Sequence, residues 1–381
     1  MSHAPSAALK RRHEAVRAVC ARAGVDALIV TSRSNILYLT NFTGSSGIVV
    51  LTSDRVQFIT DFRYVTAVEG LQQSAEACPD LQLTVVAGTY DATLVTLLTS
   101  LGAARVAFEA ANVTVSRYNW LIATLGSSAG APQLVPVEQA VEQIRLRKDD
   151  YELSMLRESA RRLSQVAAGV FTEVRAGRTE REVAMAIDGR IMAAGFERAA
   201  FDTIVASGPN AALPHAHPGE RRLGENDMVV LDFGGVYHSY CSDLTRTVVV
   251  GTASERAREV HAAVLEAHDR AIQAVRPGRS RFAIDAAARD VLTARGLGEA
   301  FGHGTGHGLG IDIHEDPKLT RRTGEATPGV DDELVDTGMV FTIEPGAYLP
   351  GWGGVRIEDD VLVTQHGVEV LTSVTTDLLE L

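Results

Sequence analysis

"GHGTGHGLGIDIHEDP" runs from Gly302 to Pro317 and holds three histidines and five glycines. Gly302, Gly304, Gly306, Gly308 and Gly310 alternate strictly. In a helix each would cost about 1 kcal/mol relative to alanine. In an extended strand they leave one face bare, while His303, Thr305, His307 and Leu309 share the other. A bare face lets a backbone or a ligand approach closely. His303 and His307 have the spacing of a zincin helix, but Gly304 stands where that motif needs glutamate, and the Gly-Lys pair of a Walker loop is missing. The segment is expected to be an extended strand that presents imidazoles to a crowded centre.

Around this segment the chain repeats itself. "VRAGRT" (Val174 to Thr179) returns as "VRPGRS" (Val275 to Ser280), and "AGF" (Ala194 to Phe196) returns at the same offset as "RGL" (Arg295 to Leu297). "MVVLD" (Met228 to Asp232) is echoed by "MVFTIE" (Met339 to Glu344), and "HAHP" at His215 by "HEDP" at His314. Four echoes in one order predict a duplicated helix–turn–helix–strands unit with pseudo-twofold symmetry, its equivalent elements flanking a shared cleft.

Residues 1–145 read differently. "AALKRRHEAVRAVCARAG" is a helix closed by Gly24; "ALIVTS", "GIVVLT", "VQFIT" and "RVAFE" are strands. "SSAGAPQLVPV" (Ser127 to Val137) reads as loop. These residues predict a small α/β domain, 1–145, followed by a second domain, 146–381. The second opens on an amphipathic helix after Asp149, with Leu156, Ala160, Leu163, Ala167, Val170 and Val174 on one face. Thr179 and Glu182 predict a capping box for the next helix, which Gly195 closes.

Composition narrows the function. The 381 residues carry a net charge of −12 and are 45% hydrophobic, which suits two packed domains and disfavours a nucleic-acid partner. No apolar run approaches a membrane span, and the N-terminus lacks the apolar stretch of a signal peptide. Cys20, Cys78 and Cys241 are odd in number and far apart, which points to a reducing cytoplasm rather than to disulfides or a thiolate zinc site.

Four acids adjoin apolar strands. Asp232 ends "MVVLD"; Asp243 begins "DLTRTVVV" after a turn expected at Gly234-Gly235; Glu344 ends "MVFTIE"; Glu358 lies in "GVRIEDDVLV". A buried acid must be paired, hydrogen-bonded or metal-bound. Four of them, two per half of a duplicated unit, repel one another unless cations lie between. With one imidazole they make a shell for two divalent metals, for which oxygen ligands favour manganese, with cobalt, zinc or iron as alternatives.

"LDFGG…YCSDLTRT", "GHGTGHGLG", "IEPGAY" and "GVRIEDD" together resemble the motifs of the creatinase, prolidase and aminopeptidase P metallopeptidase family, whose pita-bread fold is itself a duplication. "SRSNILYLTNFTGSSG" and "TDFRY" resemble its creatinase-type N-terminal domain. The resemblance implies an α/β creatinase-like N-terminal domain and an α+β pita-bread catalytic domain with internal pseudo-twofold duplication. It places two divalent metals on Asp232, Asp243, His307, Glu344 and Glu358, with Asp243 and Glu358 bridging. It makes Glu344 the general base and proton shuttle. His303, His215 and His314 match histidines of the active site, as oxyanion donors or substrate contacts. Arg356, two residues before Glu358, is expected to orient that carboxylate; Tyr348 reads equally as site or core. His217, His238, His261, His268 and His366 are read as surface or core residues.

The first functional reading is an Xaa-Pro aminopeptidase acting on short peptides with proline second. The alternative is an Xaa-Pro dipeptidase (prolidase), which needs a cation for the substrate's free carboxylate; Lys318 stands where the family often has arginine. A catalytically silent binding protein on the same fold is a further alternative, and intact ligand positions speak against both it and a creatinase-like amidinohydrolase. Relatives imply a cytoplasmic homodimer, with no nucleic acid and no membrane.

Overall fold

The capping box predicted at Thr179 and Glu182 forms, and a second one starts the helix after Asp149. In the computed structural model, which describes residues 3–126, 130–322 and 333–381, Asp149 accepts from the Glu152 backbone and the Glu152 side chain answers the Asp149 backbone. Helix Asp150–Val170 follows. Thr179 and Glu182 make the same reciprocal pair ahead of helix Glu180–Ala193. The chain divides into two units, Met1–Arg145 and Leu146–Leu381.

The first unit is a six-stranded mixed sheet. Its spatial order is Leu81–Val85, Val56–Thr60, Ile48–Thr52, Ala27–Val30, Arg105–Glu109 and Gln133–Val137. The four strands expected here are present. Two more join them: Leu81–Val85, and Gln133–Val137, which was expected to be loop and pairs parallel with Arg105–Glu109. Pro136 is tolerated because the strand lies at the sheet edge, where a missing N–H is accommodated, and Leu134 still buries its side chain. Ser127 to Ala129 of that stretch lie outside the described residues.

The second unit repeats itself in backbone as well as in sequence. Helices Asp150–Val170 and Glu180–Ala193 have counterparts in Glu255–Ala274 and Arg281–Ala294. The repeated turns make equivalent bonds: Gly177 N–H donates to the Leu223 carbonyl at 2.8 Å, and Gly278 N–H to Val335 at 2.9 Å. The helix ends match too, Phe196 N–H reaching Ile191 and Leu297 N–H reaching Leu292. Each half then supplies one main sheet, of four and of five strands, and a core of its own, and the second half adds the pair Gly346–Leu349 and Gly353–Arg356. One core gathers Leu163, Ile187, Leu231 and Leu244; the other gathers Val264, Ile284, Phe341 and Val361. Among the described residues no helix is long and apolar enough to cross a membrane.

Candidate metal centre

Strands Met228–Tyr237 and Tyr240–Val249 pair antiparallel, with Asp232 opposite Thr245 and Asp243 opposite Gly234. Residues two apart share a face, so this register sets the two carboxylates diagonally on one face. The hairpin turn is not at Gly234-Gly235, as expected. It lies at His238 and Ser239, both with positive φ (47° and 69°) as a tight primed turn requires. Gly234 belongs to the strand because a Cβ there would run into the Ser242 carbonyl and the Phe201 ring.

The glycine-rich segment is strand only over Gly306–Gly308, with a register shift after His307. A Cβ on Gly306 would overlap the carbonyl of Thr342, so the bare face serves close packing against strand Val340–Ile343. Helix Arg281–Ala294 holds the stretch before it. Asp285 accepts from Thr305 N–H and Oγ1 at 3.1 and 2.9 Å, and Arg289 donates to the His303 carbonyl at 2.8 Å. His307 Nδ1 donates to the Gly308 carbonyl at 3.1 Å. That assignment leaves Nε2 as a lone pair, 3.6 Å from Glu344 Oε1 and 3.9 Å from Asp243 Oδ2. Glu344 hangs from the Thr305 carbonyl by its own N–H at 2.7 Å. Glu358 is fixed by two bonds to Thr245, backbone to backbone at 3.1 Å and Oγ1 to Oε2 at 2.6 Å.

Asp243, His307 and Glu358 each offer one ligand atom, and the three atoms lie within 4.8 Å of one another. Burial lifts the carboxyls of Asp243 and Glu358 well above the usual range, and repulsion from Glu358 and Asp232 on the one, Glu344 and Asp232 on the other, adds to it. Burial raises Glu344 as well. Asp232 Oδ1 and Asp243 Oδ1 are buried without a hydrogen-bond partner. Crowded acids with orphaned oxygens beside an imidazole lone pair fit a cation shell: divalent metal would satisfy those oxygens and cancel that repulsion.

Arg356 lands beside a different carboxylate from the one expected. Its Nη2 donates to Asp232 Oδ2 at 2.5 Å and its Nη1 to Tyr348 Oη at 2.7 Å, and it reaches Glu358 only through Thr245, whose Oγ1 accepts from Nε at 3.2 Å and donates to Glu358. Tyr348 Oη lies 2.9 Å from His303 Nε2, and His303 Nδ1 donates to the Gly304 carbonyl at 2.8 Å. Burial lowers the His303 pKa, keeping the ring neutral, so Nε2 accepts and Tyr348 donates its proton to it. His303 therefore points no donor into the cleft, contrary to an oxyanion role.

A cavity of about 710 Å³ opens over this cluster and is lined by all five expected ligand residues, by His215, His303 and His314, and by Arg356 and Lys318. His217, read as a surface or core residue, also lines it, with Phe201 and Pro214. Alternation in "LPHAHP" could have found His217: Leu213, His215 and His217 all face outward while Ala216 is buried. Thr245 was legible only as a strand residue, whereas Tyr348, left open between site and core, proves to belong to the site. A second cavity, about 740 Å³ in the first unit, is lined by hydroxyls, Arg33 and the Asp91–Arg117 pair, a set with little metal-binding chemistry.

Similar proteins agree with this geometry. Residues 154–365 match metallopeptidase family M24, and residues 12–147 match the creatinase/prolidase N-terminal domain. The Xaa-Pro dipeptidase of Pyrococcus furiosus is 38% identical over 243 residues, covering 64% of this chain and 68% of that protein. The structure of an Xaa-Pro dipeptidase from Bacillus anthracis superposes with a TM-score of 0.90 at 36% identity, covering 98% of this chain and all of the other (100%). An X-Pro aminopeptidase from Thermotoga maritima superposes with a TM-score of 0.85 at 31% identity, covering 97% and 100%. With the duplicated α+β unit of the pita-bread fold behind a creatinase-type domain, this chain belongs to the M24 metallopeptidases.

Proposed function

We propose that the protein is a dinuclear-metal Xaa-Pro peptidase whose preferred substrates are dipeptides. The observation that carries the peptidase reading is the convergence of Asp243, His307 and Glu358 within 4.8 Å, with Asp232 and Glu344 in the same cleft and two buried oxygens unpartnered. Asp232, Asp243, His307, Glu344 and Glu358 would hold the metals, which when bound supply Lewis acidity toward a water and the scissile carbonyl. Manganese is the expected ion.

The side chains supply the rest. Glu344, whose carboxyl is raised above its usual range by burial, is the group expected to take and return the proton. His314, exposed at the cleft, is placed to donate to the carbonyl oxygen, and His215 to flank the proline ring. His303, closed by Tyr348, serves as wall rather than donor.

The dipeptidase reading now stands ahead of the aminopeptidase first expected. The dipeptidases compared are 36% and 38% identical, the aminopeptidase 31%. Lys318 lines the cleft directly across from His307 in the strand register, where an ammonium can meet a dipeptide's carboxylate. Cleavage of Ala-Pro against Ala-Pro-Ala, with manganese, cobalt and zinc compared, tests both readings. Faster turnover of the tripeptide would restore the aminopeptidase. Family membership also supports a homodimer, which sedimentation velocity tests.

A further inference from the structure

Lys148 is an anomaly by burial. Its side chain is 1% exposed, and its ammonium lies 3.2 Å from Glu315 Oε2, itself on a side chain only 9% exposed. A buried lysine is held by its counter-ion and is costly without it. The backbone of Lys148 is pinned independently, its N–H donating to the Gly338 carbonyl at 2.8 Å. The ammonium is thus a fixed point to which the carboxylate is drawn.

Glu315 opens strand Glu315–Leu319 and directly follows His314. Its other oxygen, Oε1, accepts the Asp312 N–H at 3.0 Å and so closes the turn from Leu309 to His314. That turn is held on its far side by Cys241, whose N–H donates to the Gly310 carbonyl at 2.8 Å. The His314 ring packs edge-on against His307, with centroids 4.4 Å apart. A shift of the turn would move His314 relative to the ligand cluster.

We infer that Lys148 is a positioning residue for His314, acting through Glu315 and the Leu309–His314 turn. The inference rests on the reading of His314 as a residue that meets substrate. An ion pair joining residues 167 positions apart thereby sets the aim of a cleft side chain that is itself exposed.

The test has two arms. In hydrogen exchange on the full-length protein, Lys148→Met and Glu315→Ala should each speed exchange of the Asp312 amide at least about tenfold, while strand Val56–Thr60 is unchanged. In kinetics on Ala-Pro with manganese, Lys148→Met should lower kcat/KM about 10- to 100-fold, the usual range for a displaced supporting group. Metal content should equal wild type, and Lys148→Arg should recover most of the loss. In a His314→Ala background, Lys148→Met should cost less than about twofold more, whereas a general structural defect would multiply the two losses. Unchanged Asp312 exchange in both variants, or multiplicative losses, would overturn the inference. Normal turnover by His314→Ala would sink the functional reading of His314 instead, and the exchange arm would still decide the positioning.

Discussion

Arg356 and Asp232 form a buried ion pair, Nη2 to Oδ2 at 2.5 Å, which leaves Asp232 Oδ1 as the free oxygen at the cluster. The guanidinium spends its second nitrogen on Tyr348. A lysine is a point charge and cannot span both. Arg356→Lys is therefore expected to weaken metal binding about 10- to 100-fold, the scale of a lost ligand-orienting partner. Calorimetric titration of metal-free protein with manganese measures it, and wild-type affinity would show that Asp232 needs no orientation.

Two aspartates give a paired test of the metal site. Asp243 lies in the cluster with an orphaned oxygen, whereas Asp227 is bound to Arg221 at 2.6 and 2.9 Å. Asp243→Ala should lose metal by elemental analysis and lose activity. Asp227→Ala should lose stability but keep its metal. Chelation should abolish wild-type activity, and manganese or cobalt should restore it.

Glu344 is both an expected ligand and the expected proton shuttle. Glu344→Gln keeps shape and removes the basic oxygen. Turnover of Ala-Pro should fall at least about 100-fold, the scale of a lost acid–base group. Near-normal turnover would move the base to another residue.

The Tyr348 hydroxyl donates to His303 and accepts from Arg356. Tyr348→Phe frees His303 Nε2 and leaves Arg356 Nη1 with only its longer bond to the Pro214 carbonyl at 3.3 Å. Turnover is expected to fall about tenfold, the factor of one ordinary hydrogen bond. Burial pushes the Tyr348 hydroxyl up to about 12, so it stays protonated throughout the working range. The wild-type pH–rate profile should then show no tyrosine limb below pH about 10, and such a limb lost in Tyr348→Phe would contradict this placement.

His13 should make the first unit acid-sensitive. Burial holds its pKa down at about 4, against about 6.5 unfolded, and its Nε2 donates to the Leu39 carbonyl at 2.7 Å. Above pH about 6.5 neither state is protonated. As pH falls from there the unfolded chain takes a proton that the folded chain refuses, so stability drops until about pH 4. The loss is at most about 3 kcal/mol. Urea midpoints at pH 7.5 and 5.0 should differ less in His13→Asn than in wild type; equal differences would refute the assignment.

The sequence by itself determined several features that depend on neighbours in the chain. Asp149 with Glu152 and Thr179 with Glu182 cap their helices within three residues. The echoed turns at Val174 and Val275 revealed the duplication, and acids adjoining apolar strands marked Asp232, Asp243, Glu344 and Glu358. Tertiary structure decided which groups face one another. Gly234 looked like a turn until Phe201 and Ser242 were seen to press on it, and Gln133–Val137 looked like a loop until it proved to be an edge strand. Arg356 was assigned to its neighbour Glu358, which it reaches only through Thr245, and it pairs directly with Asp232, 124 positions away. His303 was read as an oxyanion donor or a substrate contact, and the Tyr348 hydroxyl occupies the nitrogen that a donor role would need. The physical reason is the same in each case. Periodicity and capping energies are local, whereas a hydrogen bond takes whichever partner the packed core leaves within 3 Å.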